Sequence, residues 1–203
     1  MTMPTIFRKH PRERGAQLLE FALILPLLLV LVAGVMDFAQ SWNLRQMLAN
    51  AAREGARLGS SQPLLDLTTT NPESIQDICQ QVADYLSNAG ISTAFMNGRS
   101  TDPTAGCSSP ATIANPNGAL APLAWTYYST GTYGLKIERT IAVSMTVSGV
   151  TTNVISTRVT LKYPYTWSFG FNRIIAMFGP GAASAYPSPI PIRVNSLMAN
   201  SLT

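Results

Sequence analysis

The sequence predicts an α+β protein: a long N-terminal helix, its first half transmembrane, followed by a small head with a short helix and an antiparallel sheet. Three observations predict it. An uncharged apolar run lies near the N-terminus, an apolar stripe at helical spacing continues from it, and two alternating segments flank Ser148-Gly149. The expected organisation is a basic leader over 1–15, a helix over 16–60, and a head over 61–203 with a long loop at 92–133.

From Leu18 to Phe38 the chain reads LLEFALILPLLLVLVAGVMDF. As a helix this run rises about 31 Å, close to the hydrocarbon thickness of a bilayer. No charged side chain lies between Phe21 and Met36, so a soluble helix with one polar face is excluded. Pro26 sits inside the run, where a bilayer helix tolerates it with a kink. Arg8, Lys9, Arg12 and Arg14 precede the run, whereas Asp37 and Gln40 follow it. The positive-inside rule then leaves the N-terminus in the cytoplasm and residues 39–203 outside. The expectation is a single-pass protein of the cytoplasmic (inner) membrane with an extracytoplasmic head.

A cleavable secretory signal is the competing reading, with Val32-Ala33-Gly34 as its small-residue site. The helical pattern does not stop there, however. Leu44, Leu48, Ala51, Gly55 and Leu58 keep an apolar stripe at spacings of three and four, and Gly59 to Pro63 ends it. Two small-xxx-small pairs, Ala51/Gly55 and Ala52/Ala56, allow another helix to approach closely.

Glu20 lies within the apolar run, and an ionisable group there is a functional candidate by default. The plainer reading is that it snorkels to the cytoplasmic interface. Gly15 favours the functional one. A cut between Gly15 and Ala16 puts Glu20-Phe21 at mature positions five and six, where a new α-amine on a staggered neighbouring helix can neutralise the carboxylate.

The run RGAQLLEFALILPLLLVLVAGVMDF, followed by LRQMLANAAREGARLGS, resembles the TadE-like pseudopilins of tight-adherence (Flp-type) pilus systems. The resemblance covers Arg14–Ser60 and includes Gly15, Glu20-Phe21, Pro26, Asp37 and Ala52 to Arg57; RVTLKYP at Arg158–Pro164 is weaker. It implies processing by a prepilin peptidase after Gly15, then assembly of an adhesive pilus with other pilins and pilus-assembly membrane proteins through the N-terminal helix. Ala16 stands where type IV pilins often carry Phe or Met.

In the head, Asn71-Pro72-Glu73 opens a helix with Ile75, Ile78, Cys79, Val82 and Leu86 on its apolar face, ended by Asn88 and Gly90. Residues 92–133 are rich in Ser, Thr, Asn, Gly and Pro and read as one irregular loop. Trp125, Tyr127, Tyr128 and Tyr133 near its end either pack on the sheet or form an aromatic binding surface. Ile137, Ile141, Val143, Met145 and Val147 alternate with polar residues, with Arg139 an exception on the apolar parity. After a Ser148-Gly149 turn, Val159, Leu161 and Tyr163 alternate with Arg158, Thr160 and Lys162, and Pro164 is expected to end that strand. Phe169–Phe178 is too short to span a bilayer and reads as a core helix or a membrane-surface segment. Ile192–Met198 reads as a last strand.

Composition narrows the function. The net charge of +4 and pI near 9.3 sit mostly in the leader, so no basic stripe for nucleic acid is expected, and charged residues are only 12% of the chain. Cys79 and Cys107 are the only cysteines and the head has no His, so no Cys/His metal site can be built. On an oxidising side the two cysteines can close a disulfide worth roughly 3 kcal/mol; otherwise they are two buried thiols. No nucleophile motif, phosphate loop or carboxylate cluster appears, and Asp66, Asp102 and Glu138 read as isolated solvated carboxylates. The expected function is that of a minor pilin or pseudopilin, without cofactor or enzymatic activity, with the bilayer and prepilin peptidase among its partners. The alternative is a membrane-anchored envelope ligand- or carbohydrate-binding module outside any filament.

Overall fold

The computed structural model describes residues 11–69, 71–96, 107, 110, 112–114, 123–128, 132–169, 179 and 188–201. One helix, α1 (Pro11–Ser61), is followed by a 3-10 turn (Leu65–Thr68) and a second helix, α2 (Glu73–Asn88). Five strands follow: β1 (Thr112–Ala114), β2 (Leu123–Tyr128), β3 (Gly134–Val147), β4 (Val150–Tyr165) and β5 (Ile190–Ala199). They form one antiparallel sheet in sequence order. The chain divides into two compact units, residues 1–40 with 167–187, and residues 41–166 with 188–203.

The second unit is the head. Its core joins Leu48, Ala51, Ala52 and Ala56 of α1 to Ile75, Ile78, Val82 and Leu86 of α2 and to Leu135, Ile137, Val159, Leu161 and Val194 of the sheet. Both helices reach it with satisfied ends. The last carbonyls of α1 are taken by local and distant donors: Gln62 N–H and the Ser61 hydroxyl on Leu58, Thr157 Oγ1 on Gly59 at 3.4 Å, and Ser201 N–H on Ser60 at 3.0 Å. The end of α2 is a Schellman motif. Ile91 N–H bonds the Leu86 carbonyl at 2.8 Å, Gly90 N–H bonds Ser87 at 2.9 Å, and Gly90 takes the required positive φ of 73°.

Two expectations are corrected here and one pair of alternatives is decided. Residues 92–133 are not one loop, because β1 and β2 lie within them, paired at Ile113–Trp125 and Trp125–Ile137. Trp125 and Tyr127 are each 1% exposed, which decides for packing on the sheet over an aromatic binding surface at these two residues. Pro164 does not end β4: it lies opposite Pro191, past the last β3 partner at Lys162. Only β5 flanks the strand there, so the missing N–H is tolerated.

The Ser148-Gly149 turn closes the β3–β4 hairpin with φ of 51° and 82°, the two positive values a type I′ turn needs. Arg139 keeps the inward parity of Leu135 and Ile137 and is fully buried, and an irregularity follows it that moves Ile141, Val143 and Met145 off that parity. Between Glu138 and Ile141 the ladder shifts register and Thr140 takes φ 62°, so β3 carries an extra residue there. Of Phe169–Phe178, all but Phe169 lies outside the described residues.

Candidate functional site

The first half of α1 is the surface that distinguishes this chain. Leu18, Leu19, Phe21, Leu23, Leu27, Leu28, Leu29 and Leu31 are each more than half exposed, and the most apolar stretch of α1 is 0% buried. A helix hydrophobic on all sides and uncovered among the described residues requires an apolar surround. Among the described residues it is the one helix long and apolar enough to cross a membrane.

Gly15 and Glu20 lie on this helix, both exposed; of Ala16 only the backbone is described. The helix reaches back past Gly15 to Pro11, and nothing lies within 4 Å of where a Gly15 side chain would stand. Five residues place Glu20 about 7.5 Å along the axis from Gly15. Phe21 is 62% exposed. Among the described residues nothing covers Gly15, Glu20 or Phe21, which stand open to whatever surrounds the helix.

Asp37 ends the run. Its side chain is fully buried, and Oδ1 accepts hydrogen bonds from Ser168 N–H at 2.9 Å and Phe169 N–H at 3.0 Å. A carboxylate buried this deeply is stable because it accepts from backbone donors. The sequence marks Asp37 as a flank of the run and as part of the TadE-like resemblance, but not as a buried acceptor, since its partners lie 131 and 132 residues away.

Ala51, Ala52 and Ala56 are buried in the head, and Gly55 is where α2 comes nearest. A Cβ on Gly55 would stand 2.5 Å from Val82 Cγ2 and 3.6 Å from Val159 Cγ2. The helix that this small-residue face admits in the structure is the chain's own α2. Cys79, on α2, is bonded to Cys107 with Cα atoms 5.6 Å apart.

Two carboxylates expected to be solvated are not. Asp66 caps α2 from a distance, accepting from Ser74 N–H at 2.8 Å and Ser74 Oγ at 3.0 Å. Next to it the buried Arg139 donates to the Gln62 carbonyl at 2.9 Å. Burial draws the Arg139 guanidinium down to about 10, with the Asp66 charge acting the other way. This group ties the α1–α2 connection to the β3 bulge. Glu138 bridges Lys136 Nζ at 2.8 Å and Arg158 at 3.6 Å. Asp102 lies outside the described residues.

Four of the ten Lys and Arg residues outside the leader gather on one face of the sheet. The register places Lys136, Arg158, Lys162 and Arg193 on one sheet face, opposite the core. The signal was present in the alternation of β3, β4 and β5, but only strand order and register bring the three together. Among the described residues, no group of three His, Cys, Asp or Glu side chains could hold a metal.

Residues 15–57 match the family model described as TadE-like protein. The likeness is confined to α1 and does not reach the rest of the head. No curated protein and no solved structure matches the chain.

Proposed function

We propose that this chain, TadE-like over residues 15–57, is a minor pilin or pseudopilin of a tight-adherence pilus, cut after Gly15 by a prepilin peptidase and assembled through its N-terminal helix. The observation that carries the reading is the bare apolar half of α1 with Glu20 set in it, inside the matched segment. A plain anchor gains nothing from an ionisable group at that place, whereas a packed assembly of cut helices gives it a partner. Cleavage makes the Ala16 α-amine, and a neighbour displaced along the axis sets that amine against Glu20. The head then lies outside the cytoplasm, because the basic leader is held on the inner side. The family is one of pilus components, and the chain acts through contacts and not through catalysis.

Mass spectrometry of the membrane-extracted protein tests the cleavage: Ala16 is the expected first residue, and an intact leader or a start near Val35 would sink the maturation step. Glu20→Gln tests the pairing. It keeps the shape and removes the charge, and leaving a buried partner uncompensated costs about 3–5 kcal/mol, a hundredfold or more in affinity. The protein should still insert and be cut, yet lose its crosslinked neighbours and reduce pilus number. Unchanged crosslinking with normal pili would refute the pairing and leave a simple anchor.

A further inference from the structure

The outer face of the head sheet holds a feature that assembly through α1 does not use. On it, Lys162 of β4 lies directly opposite Arg193 of β5. Like charges opposite one another on adjacent strands destabilise a sheet. Neither side chain has a carboxylate partner among the described residues, and Glu138, the only carboxylate on the five strands, is occupied by Lys136 and Arg158.

The position on β3 that pairs with Lys162 is Gly134, which has no side chain. A gap therefore opens beside the two cations, a cleft of about 210 Å³. Its walls include Lys136, Lys162, Arg193, the hydroxyl residues Thr126 and Thr160, and Tyr133, and among the described residues no carboxylate lines it. Thr160 is only 6% exposed, so one hydroxyl-bearing side chain sits deep in the wall.

The geometry points to a binding site for a phosphate group in this cleft. The charged groups there can only donate: an ammonium offers three N–H groups and a guanidinium five, and a threonine hydroxyl adds one. A phosphate brings up to two negative charges and three or more acceptor oxygens, which matches two unpaired cations and their flanking hydroxyls. A carboxylate, with one charge and two oxygens, leaves half of those donors unused. The cleft is smaller than the roughly 300–1,000 Å³ of sites that enclose whole organic ligands, so it fits a headgroup-sized anion and not a polymer. The phosphate can be soluble or can be borne on a lipid headgroup, and the test separates the two.

The probe is inorganic phosphate, titrated into full-length protein in phosphatidylcholine nanodiscs and followed by NMR of labelled lysine and arginine side chains. A second arm replaces phosphate by phosphatidylglycerol in the nanodisc. Saturable shifts at Lys162 and Arg193 in the first arm assign a soluble phosphate, and shifts only in the second assign a lipid headgroup. The double variant Lys162→Gln/Arg193→Gln should weaken binding at least tenfold. It should also melt no lower than wild type, since it removes a repulsion, so that lost binding cannot be lost folding. Arg45→Gln/Arg57→Gln removes the same charge elsewhere and should bind as wild type. Glu138→Gln frees Lys136 and should tighten binding severalfold. Shifts that never saturate, that persist in Lys162→Gln/Arg193→Gln, or that vanish equally in Arg45→Gln/Arg57→Gln overturn the site.

Discussion

Replacing Gly55 by alanine tests whether the head is built on close approach of α1 and α2. The added Cβ would lie 2.5 Å from Val82 Cγ2 and 3.5 Å from Ile78 Cγ2. Carbon atoms pack best at about 3.5–4.0 Å, so Val82 must retreat by about an ångström. Its side chain is fully buried and, being β-branched in a helix, has essentially one rotamer. The whole of α2 must therefore move, and overpacking of this kind costs about 1–3 kcal/mol. Against it stands the gain of about 0.5–1 kcal/mol when alanine replaces glycine inside a helix. The expected net loss is about 1–2 kcal/mol.

The cycle with Val82→Ala isolates the contact. That change alone removes two methyl groups and leaves a cavity, for about 2–3 kcal/mol. In the double variant the new Cβ fills part of the cavity, so the two losses should fall short of their sum by at least about 1 kcal/mol. The assay is urea denaturation of the full chain in detergent, followed by near-ultraviolet circular dichroism. Gly15→Ala is the control, because nothing lies within 4 Å of its added methyl and the head transition should not move. A stabilised Gly55→Ala, or strict additivity with Val82→Ala, would refute the argument.

Arg139→Ala should cost at least about 2 kcal/mol by removing the charged donor from the Gln62 carbonyl, with Arg139→Lys recovering part of it. Its lowered pKa of about 10 makes the folded head hold the proton less tightly than the unfolded chain, so stability should rise only as pH climbs past about 10 and stay unaffected by this group through neutrality; urea midpoints that drift with pH between about 6 and 8 in wild type but not in Arg139→Lys would contradict this. Reducing the Cys79–Cys107 bond, which spans 28 residues, should lower head stability by about 3 kcal/mol, and peptide mapping that finds both thiols free in protein from its native envelope would reject the bond. Asp37→Ala removes the acceptor of two backbone amides, so hydrogen exchange at Ser168 and Phe169 should accelerate about tenfold or more, and unchanged protection would deny that carboxylate its role.

What the sequence made legible was whatever repeats at short range. The apolar run, the α2 face at Ile75, Ile78, Val82 and Leu86, and the Ser148-Gly149 hairpin all declare themselves within a dozen residues. β2 did not, because six residues between stretches of Gly, Pro and Asn are too few to establish an alternation. Arg139 looked like an error of parity because a bulge at Thr140 cannot be read from spacing; it re-phases the strand after the residue that seemed misplaced. The roles of Asp37 and Asp66 rest on partners brought close only by folding, and the cationic cleft rests on register between three strands. Periodicity reports which face a residue takes, never what stands opposite it.

The two parts of α1 obey different demands. Up to Met36 no described side chain of the helix belongs to the head core. From Leu48 to Ala56 its small and apolar residues lie inside that core, and Gly55 admits α2. A variant at Glu20 or Phe21 should thus leave the urea transition of the head unchanged while altering what the helix binds, and a variant at Ala52 or Gly55 should do the reverse. If Glu20→Gln shifts the head transition by as much as Gly55→Ala does, the separation fails. Assembly and folding would then be one property of the helix, and pilus loss in Glu20→Gln could be read as misfolding.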